Sequence, residues 1–88
     1  MPDSFSLQAN PNPFNPGCNI TFRLAQPNNI KISLYDISGK YIQFIYNGIL
    51  KAGDHNIYWQ PNNIASGTYF IRIFDGEFSQ NVKVVCLK

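Results

Sequence analysis

Charge is what this sequence has least of. Charged residues make up 14% of its 88 residues, well under the roughly 25% usual for soluble domains. The net charge is +2, and the basic residues (Arg23, Lys31, Lys40, Lys51, Arg72, Lys83 and Lys88) are scattered rather than clustered. A phosphate-tracking stripe needs them together, so nucleic-acid binding is excluded as an expectation. Cysteine is nearly absent: Cys18 and Cys86 are too few for a disulfide framework. With His55 as the one histidine, they cannot make a four-ligand zinc site either. No metal or cofactor is expected. Long apolar runs are missing, so no transmembrane segment is predicted. The opening Met1-Pro2-Asp3-Ser4 lacks the basic start and apolar core of a signal peptide. If the domain is exported, the expectation is a fragment whose leader lies upstream. Helical periodicity is also missing throughout.

What is present is apolar, aromatic and rich in asparagine. Hydrophobic residues reach 44%, which is globular rather than disordered. A chain this short makes one domain and buries roughly 60–65% of its unfolded surface, leaving little room for a deep pocket. Residues 10–17 alternate asparagine with proline around Phe14. Each proline fixes φ and removes a donor, and each preceding residue is pushed out of the helical region. This stiff lead is expected to cap one end of the fold, with Phe14 as its apolar anchor. The pattern then flips to strict alternation, Cys18, Ile20, Phe22 and Leu24 against Asn19, Thr21 and Arg23.

Further strands are predicted at 30–36, 41–46, 55–60, 68–74 and 78–87, with a short edge strand or arm at 4–9. The segment 41–46 has an ambiguous phase, and 47–53 reads as a longer connection. Residues 36–40 read as a hairpin loop with Gly39 left-handed. Apolar residues on both faces of 68–74 suit a central strand. About seven short strands with regular turn signals predict an all-β antiparallel sandwich. The single domain divides into a lead over 1–17 and a core over 18–88.

No catalytic constellation emerges. Asp75 and Glu77 are the only acids close in sequence, and they flank a turn glycine. A glycosidase pair is far less expected there than solvated turn residues. His55 reads as a surface histidine at a strand start. The serines lack a nucleophile elbow. No enzyme is predicted. Trp59 reads as a core anchor, with a sugar-stacking platform beside Tyr58 or Tyr35 as the sharper reading. Ser66-Gly67-Thr68-Tyr69 reads as a tyrosine corner. Cys18 and Cys86 fall on the core phase of their strands, leaving two readings open: a disulfide, or two buried thiols.

Six blocks now stand in order: PDSFSL (2–7), NPNPFNPGCNITFRL (10–24), ISLYDISGK (32–40), AGDHNIYW (52–59), SGTYF (66–70) and VKVVCLK (82–88). Together they resemble the C-terminal sorting domain of the type IX secretion system, related to hook-capping immunoglobulin-like domains. The resemblance implies a seven-stranded immunoglobulin-like sandwich. It implies a non-catalytic module that targets a larger exported protein for type IX secretion and surface attachment. The implied partners are secretion machinery at the outer membrane and a covalently linked passenger upstream. The implied location is the periplasm in transit, then the medium or the cell surface. The sorting signal is implied for the last strands, with Ser66, Gly67, Tyr69, Lys83, Val84 and Lys88 as candidates. The family usually carries a Thr-like residue at position 18 and an aliphatic one at 86, so two cysteines there mildly raise the disulfide reading without displacing that of two buried thiols. The loop 60–65 departs from the family by lacking Asp-Gly. Two alternatives stand beside this: a carbohydrate-binding module using a flat row of Tyr35, Tyr46 and Tyr58, or a structural immunoglobulin-like spacer, either appended to a secreted glycosidase.

Overall fold

The computed structural model describes residues 5–87. Seven strands form two antiparallel sheets: β1 (Gln8–Asn10), β2 (Cys18–Leu24), β3 (Asn28–Asp36), β4 (Tyr41–Leu50), β5 (Gly53–Trp59), β6 (Gly67–Phe74) and β7 (Ser79–Cys86). One sheet has the order β1-β2-β5 and the other β4-β3-β6-β7. There is no helix among the described residues. This is the antiparallel sandwich expected from the alternation, of the immunoglobulin-like kind that the resemblance implied.

The core follows the period-two pattern directly. Cys18, Ile20, Phe22 and Leu24 of β2 face Ile30, Ile32 and Leu34 of β3 and Ile71 and Ile73 of β6, all buried. Trp59, Ile64, Tyr69, Val84 and Cys86 complete the layer. Each large apolar side chain buried this way contributes about 1.5–3 kcal/mol. The lead belongs to the same core, because Phe5, Leu7, Ala9 and Phe14 are buried with it. No polar or charged side chain is buried among the described residues.

The turns are held by aspartates. Asp36 Oδ1 accepts from the Ser38 and Lys40 amides and from Ser38 Oγ at 2.6–2.9 Å. Gly39 takes the left-handed φ of 89° that this hairpin needs. Asp75 Oδ1 likewise accepts from the Glu77 and Phe78 amides. Both aspartates are turn-formers, and for Asp75 its setting beside Gly76 indicated as much.

One region differs from expectation. The longer connection foreseen at 47–53 is mostly strand, since β4 continues to Leu50 and includes Asn47 and Gly48. The Tyr46 side chain takes the space above Gly48, where an added Cβ would lie 2.8 Å from Tyr46 Oη. The ring thus supplies the cover that glycine lacks in a strand. The ambiguous phase of β4 also has a cause. Its pairing with β3 slips twice, between Ile32 and Ser33 and between Leu34 and Tyr35. These slips leave Ile45 and Ile42 as extra residues on β4. Each bulge reverses the side-chain phase, which lets Ile42, Ile45 and Tyr46 all pack on the core.

Candidate functional site

The candidate sorting residues lie on β6, β7 and the loop before β6. Tyr69 is buried, and its hydroxyl donates to the Ala65 carbonyl at 2.7 Å. This is the tyrosine corner foreseen, and it ties the loop to β6. Gly67 pairs with Cys86 at the strand ends, and Ser66 sits exposed beside it. Val84 is fully buried, so in the folded domain it holds β7 in place and presents no surface. Lys83 is exposed on the outer face of the sheet. Lys88 lies outside the described residues.

β7 is an edge strand, and the lead lies along its outer edge. Asn12 Nδ2 donates to the Lys83 carbonyl at 2.9 Å, and Asn12 Oδ1 accepts from the Val85 amide at 2.9 Å. The Phe14 amide donates to the Val85 carbonyl at 2.9 Å, and the Leu87 amide donates to the Phe14 carbonyl at 3.0 Å. Backbone and side chain thus alternate as partners for one edge. The reason is local: proline 13 has no N–H, so an asparagine amide supplies the pairing a strand backbone would. Phe14 is 1% exposed and packs against Trp59, ring centroids 5.3 Å apart. The capping role foreseen for the lead is therefore more specific than a lid: it closes a sheet edge. Asn12 was not singled out in the sequence, although asparagines alternating with donorless prolines were the signal.

The opposite edge of this sheet is β4, and no described strand pairs with its outer side. Its residues Tyr41–Leu50 carry no charge, and Phe44 and Ile49 are 57% and 78% exposed.

Cys18 and Cys86 are both free thiols and both buried. They belong to opposite sheets at one end of the sandwich. Burial first, and the neighbouring Cys86 second, push the Cys18 thiol up to about 11. Such a thiol is nearly all neutral at physiological pH and unreactive.

The remaining candidates do not converge. Tyr58 is exposed on the three-stranded sheet, Tyr46 packs against the core, and Tyr35 lies on the outer face of the four-stranded sheet. They form no flat row. His55 stacks on Phe22 with centroids at 5.3 Å, and its Nε2 lies 2.7 Å from the Lys51 carbonyl. Arg23 and Asp54 make an exposed pair at 3.8 Å, a contact worth about 0–1 kcal/mol. Trp59 is a core residue. No group of metal-ligating side chains occurs among the described residues.

Fold and site together define an immunoglobulin-like sandwich whose ordered features are an edge-guarding lead, a tyrosine corner and a last strand anchored by the buried Val84 and Cys86. The chain belongs to the family described as "Secretion system C-terminal sorting domain", which it matches over residues 8–87. It is a sorting domain of the type IX secretion kind, a family of targeting tails rather than catalysts. Such a domain implies export, with secretion or surface attachment of what it belongs to. No curated protein and no solved structure matches the chain.

Proposed function

We propose that this domain is the C-terminal sorting module of a larger exported protein. A leader brings the passenger into the periplasm. The sandwich then commits it to the type IX machinery at the outer membrane, for release or surface attachment. The observation that carries this reading is the extent of the family match: residues 8–87 run from β1 through β7. In this reading the folded sandwich, rather than a short linear tail, is the unit recognised, and a match that spans every strand supports it.

Within that unit the candidates divide by exposure. Ser66 and Lys83 offer surface, whereas Tyr69 and Val84 hold the shape that presents it. The machinery adds a strand to β4, the uncharged edge left open, because main-chain pairing gives affinity without a deep pocket. The bulges interrupt β4 at Ile42 and Ile45, so its regular stretch from Tyr46 to Leu50 is the part that can take a ladder.

The test fuses the chain to a reporter bearing a periplasmic leader, in a type IX-competent host, and measures the reporter outside the cell. Fusion is expected to release it and Ile49→Lys or Lys83→Ala to retain it, with each variant's melting temperature checked. Removal of 82–88 takes away most of β7, so it tests the fold as well as the signal. Release of the reporter at equal yield without the domain would show a spacer instead.

A further inference from the structure

The outer face of the four-stranded sheet is a patterned surface distinct from both edges. Strand register arranges it in rows. Lys31, Phe74 and Ser79 form the first row. Ser33, Arg72 and Asn81 form the second, and Tyr35, Phe70 and Lys83 the third. All lie opposite in phase to the buried Ile30, Ile32, Leu34, Ile71 and Ile73. No described acid stands on this face. Asp36 ends β3 in the phase of the buried Tyr69, its carboxylate engaged by the Ser38 and Lys40 amides. Asp75 and Glu77 are in a turn, and Asp54 is on β5 of the other sheet.

Arg72 is at the centre. It is half-buried, its guanidinium lies 5.4 Å from the Phe74 ring centroid, and Nη2 donates weakly to Ser79 Oγ at 3.4 Å. It makes no ion pair among the described residues. A guanidinium held on an aromatic face without a carboxylate keeps most of its five donors for a ligand. Hollows open on either side of it. One of about 300 Å³ is lined by Tyr35, Gly39, Phe70, Arg72, Ser79 and Asn81. The other, about 120 Å³, adds Lys31, Ser33 and Phe74 to the shared Tyr35 and Arg72.

We propose that this face binds an acidic oligosaccharide. One sugar acid meets Arg72, and neighbouring acid groups reach Lys31 and Lys83, which lie on a diagonal through it. Strand spacing puts successive cations on that diagonal roughly 8 Å apart at the backbone. Phe70 and Tyr35 offer apolar surface to sugar C–H faces, while Ser33 and Asn81 meet hydroxyls. Extended peptide is the poorer fit, because a sheet face offers no backbone ladder and peptides gain affinity chiefly from one. Nucleic acid is poorer still: three cations on a chain of net charge +2 cannot track a phosphate backbone. The inference stands apart from the sorting role, since binding and export are read separately.

The 88-residue chain, labelled with ¹⁵N, is titrated with oligogalacturonate and with a sulfated oligosaccharide, followed by amide shifts. Expected are saturable shifts clustered on Ser33, Phe70, Arg72 and Asn81 with either acidic glycan, and none with a neutral galactan. Arg72→Gln is expected to weaken binding about tenfold, the loss of a charge-assisted hydrogen bond. Should that variant not fold, the exposed pair Lys31→Gln and Lys83→Gln carries the test, with a loss of several-fold. Arg23→Gln, on the other sheet, is expected to leave the affinity unchanged. Absence of saturable shifts, undiminished binding by both cation variants, or equal binding of polyglutamate or oligo-dT at the same salt would overturn the proposal.

Discussion

The four-stranded sheet ends in two strands that meet one physical problem in different ways. β7 and β4 each expose a row of backbone donors and acceptors on one side. On β7 the row from Lys83 to Leu87 is closed by Asn12 and Phe14. On β4 it is left open, and the protection is partial: two bulges break the regular pairing in its first half, but none follows Tyr46. In the proposed reading, the difference separates a structural role from a docking role. The guarded edge carries the buried Val84 and Cys86 and cannot be given up without loss of the core. The open edge has its outward-facing Ile49 and Phe44 in solvent and can accept a partner at little cost to the fold.

The largest test of that contrast removes the anchor of the guard. Phe14→Ala is expected to cost about 3–5 kcal/mol, the usual price for a fully buried ring. A domain of this size has only about 4–13 kcal/mol in total, so urea denaturation should find the variant near the edge of folding. A loss under about 1 kcal/mol would show that the lead merely rests on β7.

Beneath that guard sits Cys18, and its titration reports on the same closure. The folded domain holds the thiol at about 11, from an ordinary 9.0. Raising an acid's pKa favours its neutral form in the folded state. The resulting stability is fully present below pH 9 and is lost as pH rises through about 11. Unfolding midpoints should fall across that window in the native chain and stay flatter in Cys18→Ala. A two-unit rise also lowers the thiolate fraction about a hundredfold, so alkylation by iodoacetamide at pH 8 should be slow until the domain opens. Rapid labelling of the native chain would contradict a closed edge.

Asn12→Ala is the finer probe. It deletes two hydrogen bonds, each worth about 1 kcal/mol or less at an exposed position. Loss of about 1–2 kcal/mol is expected, together with faster exchange of the Val85 amide. The Leu87 amide, bonded to the Phe14 carbonyl, should keep more of its protection. Uniform exchange along both would mean that asparagine and phenylalanine act as one unit.

How much of this could be read before the structure depends on which interaction sets each feature. The strands β2, β3 and β6 were legible because one buried face imposes strict alternation, as in Cys18, Ile20, Phe22 and Leu24. The hairpin at Asp36 and the corner at Tyr69 were legible because their turn chemistry is local. Of β4, the stretch 41–46 was legible as a strand, but its phase and its continuation to Leu50 were not, because its bulges mix the phase of Ile42, Ile45 and Tyr46, and Gly48 imitates a turn until the Tyr46 ring is seen over it. The seat of the lead was half legible. Phe14 declared itself as an anchor, but its pairing with β7 joins residues more than seventy positions apart. The outer-face grid around Arg72 was illegible for the same reason: its rows come from register across three strands.

The smallest effect on stability carries the most weight for function. Ile49 is 78% exposed, and surface substitutions of this kind usually change stability by about 0.5 kcal/mol or less. Ile49→Lys should therefore melt with the native chain. It places a cation on the regular half of an edge that otherwise has no charge, the device by which natural sheets refuse an added strand. Lysine at position 49 would face solvent freely in the isolated domain and would meet the added strand in a docked one. If β4 is the docking edge, export of a fused passenger falls while the fold is intact. If export is unchanged and the substitution Lys83→Ala abolishes it, recognition belongs to the outer face beside β7, and the open edge is open for no partner in the secretion machinery.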